Sequence, residues 1–256
     1  MVTSAQARER FAALAAGPDG TLELAEGALL VAAEEQGCLD VDAATAALAA
    51  LAAAAAPALE GLAPRAKLEE LARFLVEEAG FRGNESDYYD PQNSFLDRVL
   101  ERRTGIPLTL SIVWIEVAAR LGLRLEGVGF PGHFLVRAPE VGGLLLDPFG
   151  GEIVDAAWCL TRLRALFGPK AEVEPAHLRS ATPRQMLVRM LGNLKQIYGH
   201  RQQPERALAC SERILLLVPD APLELFLLVR LPPGSTLFPS TALVLSHFLA
   251  LAPDEE

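Results

Sequence analysis

Between Pro107 and Gly122 almost every residue is apolar, and only a helix buried on most of its sides can use such a segment. Proline is well placed in a first helical turn, where its missing N–H is not needed, and Gly122 ends the run. The polar exceptions form one stripe. Thr109 and Glu116 lie two turns apart, and Glu116 can pair with Arg120 at i,i+4. A helix this apolar needs cover from the rest of the chain. Three short segments rich in Val, Leu and Phe follow it, at 123–130, 133–138 and 143–147, separated by turn residues. They predict an antiparallel meander.

The meander carries a geometric expectation. A hairpin centred near Glu140 sets His133, which opens the second strand, directly opposite Asp147, which closes the third. Directly opposed side chains have Cβ atoms about 4.5–5.5 Å apart, within reach of an imidazole–carboxylate hydrogen bond. A slip of one residue turns one partner to the other face. A histidine beside an apolar run is often structural. Opposite an aspartate at a strand end it is also a candidate base, and both readings stay open.

Residues 4–79 are dominated by Ala, Leu and Glu and predict successive helices, punctuated by Gly-Pro-Asp-Gly at 17–20 and by Pro57 and Pro64. Asp40 and Asp42 are candidate caps for the alanine-rich helix. Composition then changes to loop residues at 80–97. The cluster Asp87, Tyr88, Tyr89, Asp90 stands out here, with Asn93 just beyond. It is either an ordered loop packed on the domain or one wall of a binding cleft, which makes Tyr88, Tyr89, Asp90, Asn93 and Glu116 candidate binding residues. Asn93 or Ser94 is the expected cap of a helix over 95–103.

Composition narrows the function classes. Half the residues are hydrophobic (51%) and 22% are charged, which describes a folded soluble chain. A net charge of −10 argues against a nucleic-acid partner, because phosphate-backbone affinity needs clustered Lys and Arg. Cys38, Cys159 and Cys210 lie far apart with no CxxC pair, which fits a reducing cytosol and offers no zinc spacing. The charged N-terminus does not read as an export signal. The uncharged stretches 43–59 and 231–253 contain prolines and fall short of a membrane span, so the expectation is a cytoplasmic protein without membrane partners. Neither a phosphate-binding glycine loop, an HExxH motif nor a metal-ligand cluster is present, and no cofactor is expected.

Three pieces, NESDYYDPQNSFLDRVLERRTGIPLTLSIVWIEVAARLGL, GVGFPGHFLVR and LLLDPFGG, cover about 84–151 in one order. Here the chain resembles the transglutaminase-like superfamily, and more closely its bacterial SirB-type branch. The resemblance implies a papain-like α+β core, a central helix against a small antiparallel sheet, with His133 and Asp147 as the family histidine and aspartate. Active members hold a nucleophilic cysteine at the start of the central helix, where the dipole favours a thiolate. That position falls at or next to Pro107 and Leu108, and no cysteine is near. Thr109 lies in the first turn and Ser111 about 6 Å along the axis from Pro107. Either hydroxyl needs a base to become a nucleophile.

After a linker at 168–183, the helices expected at 184–198 and 204–217 carry LxxNLKxxY and PERALxxxERILLLVPD. These resemble a tetratricopeptide repeat, as SirB-type proteins carry after their core. Leu215, Leu217, Pro219 and Asp220 reappear as Leu249, Leu251, Pro253 and Asp254, an offset of 34 that equals the tetratricopeptide period. The stretch 226–246 breaks the pattern. A pair of compensating reading-frame shifts accounts for an offset that survives foreign-looking residues, with a degenerate or membrane-seeking tail as alternatives.

The expected architecture is therefore α+β and mostly helical. It has an N-terminal helical layer (1–79), a papain/transglutaminase-like core (80–167), the linker (168–183) and a tetratricopeptide-like segment (184–256). The leading functional expectation is a non-catalytic domain, a pseudoenzyme that binds a protein partner. The alternative is an acyl-transfer enzyme with His133 as base, Asp147 as its orienter and Thr109 or Ser111 as an unconventional nucleophile.

Overall fold

The structure, a computed structural model, describes residues 1–221 and Glu224. Strand β1 (Val2–Thr3) leads into helix α1 (Ser4–Ala16), whose first turn is closed by Thr3 accepting the Gln6 N–H. Helix α2 (Leu24–Gln36) follows, and β2 (Cys38–Leu39) pairs back on β1. Asp40 then caps α3 (Val41–Leu59) by taking the Ala43 N–H at 3.0 Å.

Pro57 does not end this helix as expected, but lies inside its last turns. A proline there removes one backbone bond, and burial of Leu51, Ala55 and Leu59 on the same helix offsets it. Helix α3 is consequently long and apolar enough to cross a membrane by length and composition, with a mean hydropathy of 1.5. It packs against α2, against α4 (Pro64–Arg73), which starts on the expected Pro64, and against the central helix.

A π turn at Phe74–Glu78 leads to β3 (Arg82–Gly83). The tyrosine loop and a 3-10 turn at Pro91–Ser94 follow, then α5 (Leu96–Arg102) and β4 (Thr104–Gly105), which runs parallel to β3. Neither Asn93 nor Ser94 caps α5; its N-cap is Phe95, with no side-chain bond. The extra 3-10 turn moves the polar cap back to Asp90, which takes the Gln92 N–H at 3.1 Å.

The apolar segment forms α6 (Pro107–Arg120), with its residues from Pro107 through Trp114 all buried. Beside it lies a five-stranded antiparallel sheet in the order β8-β7-β6-β5-β9. The expected meander is its centre: β5 (Glu126–Val128), β6 (Leu135–Ala138) and β7 (Leu144–Asp147). Two edge strands were not legible, β8 (Glu152–Val154) and, after α7 (Ala156–Phe167), β9 (Ser180–Ala181) within the supposed linker. Strand alternation sorts the two faces. Phe134, Val136 and Ala138 join the main core with α6, while Leu135 joins Val128, Val154, Cys159 and Leu163 under α7.

Helices α8 (Pro183–His200) and α9 (Pro204–Leu217) form the expected hairpin. One hydrophobic core runs from Ala7 on α1 to Leu217 on α9, so the N-terminal layer, α6 and the hairpin share it. The hairpin is also fastened by charge. Arg213, 4% exposed, reaches Glu34 Oε2 on α2 at 2.7 Å, Arg8 of α1 binds the other oxygen of Glu34, and the Tyr198 hydroxyl donates to Glu35 at 2.9 Å. The irregular stretch 226–246 and the second copy of the 34-residue echo lie outside the described residues.

Candidate functional site

The hairpin of β6 and β7 pairs Val136 with Leu146 and Ala138 with Leu144. Its centre is Val141, one residue later than expected, because a 3-10 turn at Pro139–Val141 and two positive-φ glycines, Gly142 and Gly143, take up the extra length. His133 therefore does not stand directly opposite Asp147. It lies in the turn before β6, with its N–H bonded to the Phe130 carbonyl at 3.0 Å. Moving a hairpin centre by one residue moves each partner by two, which preserves the face. His133 and Asp147 become diagonal neighbours on one side, still within reach. Their contact is made: Nε2 lies 2.7 Å from Asp147 Oδ1. Both side chains are buried, at 4% and 1% exposure, and Oδ1 also takes the Phe149 N–H at 2.9 Å.

The imidazole is one ring in an aromatic row. Centroid separations run 5.3 Å from Tyr89 to Tyr88, 6.2 Å to Phe149, 5.9 Å to His133, 5.5 Å to Trp158 and 6.2 Å to Phe130. Gly83 makes room for this row, since a Cβ there would meet Phe149 ring carbons at 2.5 to 2.6 Å. With Nε2 held by Asp147, Nδ1 has no partner among the described residues. The His133 carbonyl accepts from Arg189 Nη2 of α8 at 2.6 Å, and the same guanidinium sits 5.2 Å over the Phe134 ring. Burial lowers the pKa of Arg189 and raises that of the Tyr88 phenol, while the Arg189 charge pulls Tyr88 back down.

Asn93 holds the tyrosine loop. Fully buried, it donates to the Asp87 carbonyl at 2.7 Å and the Tyr88 carbonyl at 3.3 Å, and accepts from Asn84 at 3.0 Å. Asp90 pairs with Arg102 at 2.9 Å, and the Tyr89 carbonyl accepts from Arg201 at 3.3 Å. Of the loop residues, Tyr88 and Tyr89 present exposed rings (39% and 61%), whereas Asn93 and Asp90 are occupied in shaping the loop.

Thr109 and Ser111 are both fully buried. Thr109 Oγ1 donates to the Asn93 carbonyl at 2.6 Å and accepts the Ile106 N–H at 3.3 Å, whereas Ser111 Oγ donates to the Pro107 carbonyl at 2.7 Å. No hydrogen bond joins either hydroxyl to the His133 ring. Glu116 pairs with Arg120 at 2.6 Å as expected, and its other oxygen takes the Ala25 N–H at 3.2 Å, supplying the first turn of α2 with the side-chain acceptor that its N-cap residue Glu23 does not provide. Of the cysteines, Cys38 is exposed, while Cys159 and Cys210 are buried and burial pushes both thiols up, Cys210 to about 12. Among the described residues no three His, Cys, Asp or Glu side chains gather to hold a metal.

Sequence reasoning brought His133 to Asp147 and placed the start of α6 at Pro107. It missed Phe149, Trp158 and Arg189. Phe149 was findable from its place in the quoted LLLDPFGG piece, two residues beyond Asp147. Arg189, 56 residues from its partner His133, carried no local signal.

The description "transglutaminase-like superfamily" belongs to the family model that matches residues 42–192. A UPF0162 protein of Xylella fastidiosa is 40% identical over 215 residues, covering 82% of this chain and 76% of that protein. Protein SirB1 of Salmonella typhimurium is 30% identical over 166 residues, 64% of this chain and 62% of that one. Human F-box only protein 21 is 34% identical over 139 residues, 53% of this chain and 22% of its own length. No solved structure matches the chain.

Proposed function

The chain belongs to the transglutaminase-like superfamily, and from that premise we propose that it is a cytoplasmic, non-catalytic member that binds a protein partner. The reading rests on the start of α6. Pro107 and Leu108 stand where the resemblance puts a nucleophile, and both nearby hydroxyls give their protons to backbone carbonyls at 2.6 and 2.7 Å. Serving as a nucleophile would cost Thr109 its tie to Asn93, leaving a buried carbonyl unpaired. The exposed rings of Tyr88 and Tyr89 offer contact area at low entropic cost, as binding surfaces favour. The α8–α9 hairpin is read as a tetratricopeptide-like pair that adds a second docking face, on the sequence pattern quoted above. The similar region of F-box only protein 21 makes up 22% of that protein, in keeping with a module that works inside larger chains.

One observation favours the alternative of acyl transfer. His133 keeps Nδ1 unengaged while Asp147 orients Nε2, the disposition a general base requires. The deciding experiment measures amine incorporation into glutamine peptides and hydrolysis of p-nitrophenyl acetate, with wild-type and His133→Ala protein. Absence of any His133-dependent turnover is expected. Turnover that disappears with His133→Ala overturns the non-catalytic reading.

A further inference from the structure

Arg189 is a partly buried cation beside the dyad, and among the described residues no carboxylate pairs with it. Arg103, stacked 4.8 Å from the Phe81 ring centroid, also has no carboxylate partner among the described residues, whereas four other arginines do. Arg8 and Arg213 share Glu34, Arg137 pairs with Glu126, and Arg102 pairs with Asp90. Partial burial raises the cost of the Arg189 charge, and a single carbonyl and one ring face are incomplete compensation. A guanidinium has five N–H donors, so donors remain for an incoming anion. Tyr88 is near enough to Arg189 for each to act on the other electrostatically, and its ring contacts Phe149 on one hand and Tyr89 on the other.

On the reading of this surface as a protein-binding one, we propose that Arg189 and the Tyr88–Tyr89 edge recognise an acidic peptide segment, with a Glu or Asp side chain seated on Arg189. The same segment has a place for an apolar residue. A cavity of about 360 Å³ is lined by Tyr89, by Ile197 and His200 of α8, and by Arg201 just beyond the end of that helix. Arg189 and Ile197 are eight residues apart on α8, about 12 Å at the helical rise, which an extended peptide covers in about four residues. The occupant is therefore an acidic residue with an apolar one three or four positions away.

A phosphodiester chain is a poorer fit, because Arg189 and Arg201 are two arginines at opposite ends of the proposed path and not a continuous row of cations. The chain's net charge of −10 does not forbid an acidic ligand, since exposed charges beyond about 8 Å are largely screened at physiological salt.

The test is fluorescence anisotropy with labelled, C-terminally amidated hexapeptide pools containing Glu-x-x-Leu or Glu-x-x-Phe. Matched pools carry Gln in place of Glu, and a third set carries Gln with a free terminal carboxylate. Wild-type protein is expected to prefer Glu over Gln by about tenfold, the size of one charge-assisted bond. Arg189→Met, which keeps the stem over Phe134, is expected to lose that preference, and Arg189→Lys to keep part of it. Equal binding of Glu and Gln pools by wild-type protein, binding of neither, or preference for the terminal carboxylate overturns the proposal. These comparisons need no variant, so a misfolded mutant does not blunt them. Mass spectrometry of the recovered peptide separates the two readings. A His133-dependent change of mass sinks the non-catalytic function and leaves the carboxylate preference standing, while an unmodified peptide without preference sinks this inference alone.

Discussion

Thr109 Oγ1 donates to the Asn93 carbonyl at 2.6 Å, and this bond ties the first turn of α6 to the loop that carries Tyr88 and Tyr89. Thr109→Val keeps the shape and removes the donor, stranding a buried carbonyl. It is expected to cost about 1–3 kcal/mol in urea unfolding. The loop should also become more open to proteolysis between Asp87 and Pro91. An unchanged midpoint would mean that the bond contributes nothing.

The dyad supports stability whatever else it does. His133→Ala leaves the Asp147 carboxylate, 1% exposed, with the Phe149 N–H as its remaining hydrogen-bond donor among the described residues, and a loss of about 2–4 kcal/mol is expected. Asp147→Asn keeps an acceptor for both donors and should cost less. Chemical denaturation of the two variants ranks them, and the reverse order would contradict the assignment of Asp147 as the costlier group to strand.

Arg213 answers Glu34 and Glu35 from α9, and all three side chains are 4–6% exposed. Arg213→Ala takes the buried cation from both carboxylates, leaving Glu34 with Arg8 and Glu35 with the Tyr198 hydroxyl and Arg206, and is expected to cost about 3–5 kcal/mol. Replacing Glu34, Glu35 and Arg213 together by Leu, Leu and Met should recover only part of it, because the apolar trio needs no charge partner but Arg8 and the buried Tyr198 hydroxyl lose Glu34 and Glu35. A triple variant as unstable as Arg213→Ala would show that packing, not the unpaired charge, sets the loss.

Cysteine chemistry gives a prediction with a sign in pH. Alkylation of the native protein at pH 8 should modify Cys38 alone, counted by intact mass. The Cys210 thiol is raised to about 12 by burial, so the folded state favours its protonated form. Its contribution to stability is complete below the unfolded thiol value near 8.5 and is lost as pH rises from there towards about 12. Cys210→Ala should flatten the fall in melting temperature above pH 9. An equally steep fall would assign the alkaline sensitivity to other groups.

Gly83 and Phe149 offer a probe of the aromatic row. A methyl at residue 83 would overlap the ring, so Gly83→Ala must displace Phe149 from His133 and is expected to cost about 1–3 kcal/mol. The imidazole proton resonances of His133 should shift with it, since ring currents act over these distances. Unshifted resonances would show that the row is not rigid.

What the sequence determined by itself was local. Fourteen residues from Pro107 to Arg120 read as a helix buried on most sides, because their near-continuous apolar run leaves only the Glu116–Arg120 end for solvent, and Pro107 marks where it starts. The face shared by His133 and Asp147 was also legible, because strand parity survived a turn one residue longer than expected. Tertiary structure alone decided the rest. Glu116 completes α2 across 91 residues, Arg189 reaches His133 across 56, and Arg213 meets Glu34 across 179. Edge strands β8 and β9 are too short to carry a pattern of their own and exist through the partners they find. Backbone periodicity is written within a turn or two of chain. A charge shows what it pairs with only once packing has brought distant segments together and excluded the water that would otherwise have served.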